Sequence, residues 1–245
     1  MERSEDVGHH RRYNMRIIIL IIAAILPLSV FSQEDVEYRM DIGAGVGATT
    51  YYGDFNASPT KNIQPAGAIV FRRVINPHMA IRLSGMYTKV KGSYEPDRTY
   101  YPNMVGNYTF NNSLIDFSAT YEYNFWPYGT GKEYRGAKRL TPFISIGFGM
   151  TYAKAKANEA MNIASKNAFA PNIPVGVGVK YRYKDRYNIS LDWQMHFSMT
   201  DELDGIKDPY GISSNGIFKN TDCYSTLTLA FTYSFSEKCR TCHKE

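Results

Sequence analysis

The densest chemistry in this 245-residue chain lies near its end, in SEKCRTCHKE, which holds Cys239, Cys242 and His243. C-x-x-C-H is the attachment pattern of c-type haem. Only Lys244 and Glu245 follow His243, so no local fold is left to bury a porphyrin or present a second axial ligand, and the motif needs that context. The same three side chains fall one short of a closed structural zinc site. Neither haem nor metal is therefore expected, and no other cofactor. A disulfide, within the pair or to a partner, is the chemistry an oxidising compartment favours. A solvated tail whose cysteines do little stays open beside it. Cys223 stands a whole strand away from Cys239 and is too far to bridge to it.

Asp192 and His196 are the second candidate, in LDWQMH. A base and its orienting carboxylate must be within hydrogen-bond reach. In a strand, four residues span about 13 Å, so these two share a face without touching. Ser190 and Ser198 lie on the same face, but no separate nucleophile motif accompanies them. A histidine satisfied inside the fold is the expected role, and no catalysis is read from this pair. The third candidate is DIGAGVGATTYYGD, Asp41 to Asp54, with Gly43, Gly45 and Gly47. A dinucleotide loop needs G-x-G-x-x-G opening a helix. Here the glycines recur with period two and run into Thr49, Thr50, Tyr51 and Tyr52, which favour a strand. They form one strand face, with Ile42, Ala44, Val46 and Ala48 on the other.

That alternation recurs along the chain. Ile189, Leu191, Trp193, Met195, Phe197 and Met199 alternate with Ser190, Asp192, Gln194, His196, Ser198 and Thr200. Residues 117–125 and 227–235 repeat the pattern, and weaker versions cover 38–52, 67–75, 79–87, 143–152 and 173–183. Eight strands follow, most of them long enough to cross a bilayer at a tilt, which takes about 9–11 residues. Aromatic residues gather toward strand ends, as in a membrane girdle (Tyr51 and Tyr52, Phe125 and Trp126, Tyr181 and Tyr183, Tyr233 and Phe235). Connections alternate in length. Long loops are expected near 54–64, 92–112, 153–172 and 201–222, and tight turns at 76–78 and 184–186. The segment 127–141 breaks the rule, being long and basic on the short-turn side.

The expected fold is all-β, an eight-stranded antiparallel up-and-down transmembrane barrel. Closure leaves no backbone edge in hydrocarbon. Gly43, Gly45, Gly47, Gly147, Gly149, Gly176 and Gly178 would make room on the crowded inner face. The lumen would hold Arg39, Asp41, Arg82, Asp116, Glu122, Lys180, Arg182, Asp192 and His196. With both signs present, these charges are expected to plug the interior rather than line a pore.

The composition agrees with this reading. Tyrosine occurs 20 times, and the net charge of +5 is scattered rather than gathered into a stripe with aromatics, so nucleic-acid binding is not read. No small-molecule substrate is indicated. Arg11, Arg12 and Arg16 precede IIILIIAAIL (17–26), Pro27 and Val30-Phe31-Ser32, the order of a secretory signal peptide. The expected organisation is a signal peptide over 1–32, with Met15 as an alternative start, a barrel over 33–236, and a periplasmic tail over 237–245.

PVGVGVKYRYKDRYNISLDWQMHFSMTDELDG (174–205), with YYGDFN (51–56), YEYNFWPYG (121–129) and TPFISIGFG (141–149), resembles a Bacteroidetes outer-membrane barrel family. Its members include the PorG-type component of the type IX secretion system. The resemblance runs from about Tyr38 to Phe235 and lies in the order and spacing of the pieces. It implies a non-enzymatic barrel in outer-membrane lipid, associated with a periplasmic ring made of a lipoprotein and its soluble partner. The basic turn and the tail would then face that ring, with Lys132, Arg135, Lys138, Arg139, Cys239 and Cys242 as its docking surface. The alternative is a stand-alone barrel acting through its external loops as an adhesin or surface-interaction protein.

Overall fold

The structure is a computed structural model that describes residues 38–52, 62–93, 109–129, 137–154, 167–199 and 223–237. The alternating segments form eight strands: β1 Tyr38–Tyr52, β2 Gln64–Asn76, β3 Met79–Ser93, β4 Thr109–Asn124, β5 Leu140–Lys154, β6 Asn167–Tyr183, β7 Tyr187–Ser198 and β8 Cys223–Glu237. Each pairs antiparallel with the next, and β8 returns to β1, so the sheet closes on itself. Closure satisfies every ladder internally, the condition for a sheet surrounded by hydrocarbon.

The outer wall is apolar. Across β1, β8, β7 and β6, the register sets Val46, Leu229, Leu191 and Val179 abreast, and all four point outward and are exposed. Phe148 is 74% exposed and Phe117 65%. A sheet whose large apolar side chains face out while arginine and glutamate face in is built for lipid outside, not water. In β4 the outward apolar run goes from Ile115 through Phe117, Ala119 and Tyr121 to Tyr123, a length that suits a tilted membrane strand.

Aromatic rings bound this belt at both ends. Toward the long connections, the ladder Tyr87, Ile115, Tyr152, Phe169 crosses β3 to β6. At the other end, Tyr187 lies 5.6 Å from both Phe231 and Tyr233, and Tyr123 meets Phe125 edge-on at 5.9 Å. Tyr51 differs from the expected girdle. It turns inward and is completely buried, because it shares parity with the inward glycines of β1.

The strands run further toward the long connections than the alternation suggested. β3 continues to Ser93, β4 starts at Thr109, β5 ends at Lys154 and β6 starts at Asn167. In these extensions the polarity reverses. Lys89, Lys91, Asn111 and Lys154 face out, while Val90, Leu114, Ala153, Ala168 and Ala170 pack inside with Tyr51, Met86 and Tyr224. Beyond the upper aromatic ring, the barrel is built as a water-soluble one would be.

The opposite end carries the short connections. Pro77 and His78 join β2 to β3, with the His78 amide donating to Asn76 Oδ1 at 2.9 Å. Residues 184–186 join β6 to β7, with Lys184 in the left-handed region at φ 54°. The longer β4–β5 connection is anchored at both ends. Phe125 N donates to Pro142 O, Tyr128 N to Pro77 O, and Lys138 N to Pro127 O. Inside the wall, glycines permit strands to approach closely. A Cβ on Gly43 would stand 2.0 Å from the Phe231 carbonyl oxygen, and one on Gly147 would stand 2.0 Å from that of Ala119.

Candidate functional site: a sealed lumen and a basic rim

The lumen is filled from the turn end upward by charge. Arg72 Nε donates to Glu122 Oε2 at 2.8 Å and its Nη1 to Asp41 Oδ2 at 3.2 Å. Lys180 Nζ donates to Glu122 Oε2 and, at 3.0 Å, to Asn124 Oδ1. Arg82 Nε lies 3.3 Å from Glu122 Oε1, and its Nη1 lies 2.5 Å from Asp192 Oδ2. Glu122 thus meets three cations from three other strands. Ser234 Oγ donates to Asp41 Oδ1 at 2.7 Å, and Asn188 Nδ2 to Ser234 Oγ at 2.8 Å.

Tyr128 closes the turn end. The anchored β4–β5 connection tucks its ring under the barrel, where it is 4% exposed. Its hydroxyl donates to Asn188 Oδ1 at 2.8 Å, and the Arg182 guanidinium sits 4.8 Å from the ring centroid. Burial raises the phenol above its ordinary range, against the pull of Arg182 and Arg72, so it stays neutral and able to donate. Among the described residues, the buried charges balance: Arg72, Arg82, Lys180 and Arg182 against Asp41, Asp116, Glu122 and Asp192.

Toward the long connections, Asp116 Oδ2 accepts from Asn172 Nδ2 at 2.6 Å, Tyr224 Oη at 2.8 Å and Thr151 Oγ1 at 2.9 Å. His196 stacks on Tyr224, with ring centroids 4.4 Å apart and planes 10° from parallel. Its Nδ1 is 3.9 Å from Asp116 Oδ1 and its Nε2 is 3.5 Å from Thr226 Oγ1. This is a hydroxyl, imidazole and carboxylate in order, but with both links at or beyond hydrogen-bonding distance. All three groups are buried. The adjoining cavity, lined in part by Arg82, Asp116, Asp192 and His196, measures about 20 Å³, room for about one water and no substrate. Asp192 pairs with Arg82 rather than with His196.

Asp41, Arg82, Asp116, Glu122, Lys180, Arg182, Asp192 and His196 therefore all lie in the lumen. Arg39 does not. It is exposed at the start of β1, opposite Ser236, whose φ of 65° departs from extended backbone. The inward-outward alternation fails there. Lys138 and Arg139 are exposed on the turn-end rim, with Lys138 Nζ 4.7 Å from the Trp126 ring centroid. Lys132, Arg135, Cys239 and Cys242 lie outside the described residues. The residues that reading by sequence missed are Arg72, Tyr128, Asn124, Asn188 and the Thr151–Asn172–Tyr224 group. Arg72 carried no clear signal, because both faces of β2 are apolar around it, Ile69 and Ile75 outside and Val70 and Val74 inside, with an arginine on each.

The family model described as "Domain of unknown function (DUF6089)" matches residues 15–244. The chain belongs to that family. No curated protein matches its sequence. Among solved structures, Neisserial surface protein A is 13% identical with a TM-score of 0.48, the match covering 80% of this chain and 97% of that one. The outer membrane protein OprG from Pseudomonas aeruginosa is 10% identical with a TM-score of 0.48, covering 82% and 99%. Ail, the attachment invasion locus protein of Yersinia pestis, is 12% identical with a TM-score of 0.46, covering 82% and 100%. A shared barrel does not carry a function.

Proposed function

We propose that this DUF6089 protein is a non-enzymatic outer-membrane barrel that anchors the periplasmic lipoprotein ring of a type IX secretion system. The observation that carries the reading is the sealed lumen. Glu122 and its three cations occupy the interior, and Tyr128 is buried at the turn end, which supports a role outside the lumen. What remains for function is the two rims. The likeness of the strand segments to the PorG-type family selects the turn-end rim, where Lys138 and Arg139 are exposed. In this orientation, that rim and both termini face the periplasm. Lys132 and Arg135 in the same connection, and Cys239 and Cys242 in the tail, complete the proposed contact.

The test is affinity purification of the tagged full chain from gently extracted outer membranes, with and without reductant. It is run beside Cys239→Ser/Cys242→Ser and a variant with Lys132, Arg135, Lys138 and Arg139 changed to Gln. Ring lipoprotein subunits are expected with the wild type and reduced with the charge variant. A species that collapses on reduction and is missing from the cysteine variant would make the tail a covalent tether. A barrel that emerges alone overturns the reading and moves function to the long loops of the other end. Deleting residues 94–108 would then abolish activity while secretion continues.

A further inference from the structure

At the lower edge of the apolar belt, cations, aromatics and aliphatics coincide beside β5 and β6. Leu140 pairs with Tyr181 across β5 and β6, and the Arg182 amide donates to the Arg139 carbonyl at 2.7 Å. Lys138 and Tyr183 lie two residues beyond that pair on their own segments, both exposed, with Lys138 bridged to Tyr128. Trp126 joins them, its amide donating to Thr141 Oγ1 at 3.0 Å. Leu140, Tyr181, Tyr183 and Trp126 are between 40% and 50% exposed. Above them the wall is continuous apolar surface, Val179 and Val177 among it.

The cations of this sector are held in place by the rings. Lys138 Nζ lies 4.7 Å from the Trp126 centroid and Lys184 Nζ 5.4 Å from that of Tyr183, distances at which the ring face attracts an ammonium. Arg139, next to Lys138 in the chain, is exposed. The turn adds one carboxylate, Asp185, and Arg186, whose guanidinium is engaged by the Tyr38 and Tyr233 hydroxyls. Among the described residues, Lys138, Arg139 and Lys184 are thus exposed at the lower edge of the belt, with Asp185 the acid of the same turn. Cationic side chains at that depth favour anionic headgroups.

We propose that this sector is a binding site for an anionic glycerophospholipid. Its phosphate would be held by Lys138, Arg139 and Lys184, and its acyl chains would lie against Leu140, Tyr181 and Val179. This goes beyond the ring-anchoring reading and stands without it, since it rests on the rim's own geometry.

The experiment is native mass spectrometry of the full chain released from micelles doped with phosphatidylglycerol or phosphatidylcholine. The wild type is compared with Lys138→Gln/Arg139→Gln/Lys184→Gln and with a charge-matched control at the other end, Lys89→Gln/Lys91→Gln/Lys154→Gln. Folding of each is checked by heat-modifiable electrophoretic mobility. Phosphatidylglycerol retention is expected to fall roughly tenfold or more in the rim variant, to persist in the control, and not to be competed by inorganic phosphate. Equal loss in both variants, or no preference over phosphatidylcholine in the wild type, overturns the site. So does competition by inorganic phosphate, which would mark a plain anion site. If the rim variant keeps the lipid but loses ring subunits, the sector is a protein contact and the lipid proposal fails. If it loses the lipid and keeps the ring, the lipid site holds, and docking through Lys138 and Arg139 falls instead.

Discussion

Glu122 faces Arg72, Arg82 and Lys180 with one carboxylate, so a Glu122→Gln change leaves Arg72 with Asp41, Arg82 with Asp192 and the buried Lys180 short of its counter-charge. Breaking a buried pair by removing one partner costs about 3–5 kcal/mol. The variant should therefore unfold at clearly lower urea when the folded, heat-modifiable form is followed in lipid vesicles. An unchanged midpoint would mean the cluster contributes nothing to holding the barrel. Much of this cluster was legible, because a charged residue recurring among apolar neighbours at period two in a membrane strand has to face the lumen. Arg72 was not, since VFRRVIN puts an arginine on each face and only the register with β1 and β3 selects Arg72 for the inside. Arg73, on the outer face near the strand end, can reach the interface with its long side chain. Arg39 failed in the opposite sense. Its parity pointed inward, but the alternation breaks opposite Ser236, whose φ is 65°, and the side chain is exposed.

At the scale of the strands, alternation located all eight elements, and its limits have a physical origin. It is a signal of lipid outside and polarity inside, so it fades where the strands leave the lipid. Above the Tyr87–Tyr152 level, Lys89, Lys91 and Lys154 take the outer positions and Val90, Leu114 and Ala153 the inner ones. The period persists there while its sense inverts, which is why these reaches of β3 to β6 read as loop. The Tyr128 plug was hidden for a different reason. It sits in a connection, and its position depends on hydrogen bonds from its own amide to Pro77 O and from Lys138 N to Pro127 O that no local pattern announces. The glycines offer a direct test of closure. Gly147→Val would drive a side chain into the Ala119 carbonyl, whereas a Cβ at Gly67 meets nothing within 4 Å. Gly147→Val should prevent formation of the heat-modifiable barrel, while Gly67→Val should fold and gain slightly from a stiffer unfolded chain, by about 0.4–1 kcal/mol. Equal behaviour of the two variants would show that backbone approach at Gly147 does not limit closure.

The whole molecule combines two kinds of barrel on one closed sheet. Between the aromatic rings it is apolar outside and charged inside. Beyond the upper ring it is polar outside and apolar inside. The two fillings meet around His196 and the 20 Å³ cavity, so the lumen is blocked twice, by an ionic cluster below and by Leu114, Val90 and Tyr224 above. Eight strands enclose an interior that side chains can just fill, and here they do. The most direct check is the conductance of the purified full chain in planar bilayers, with insertion verified by its heat-modifiable mobility. A sealed barrel should insert and leave the current at the bare-lipid baseline, with no discrete steps. Stable, stepwise ion conductance would contradict the sealed lumen, and with it the assignment of function to the rims.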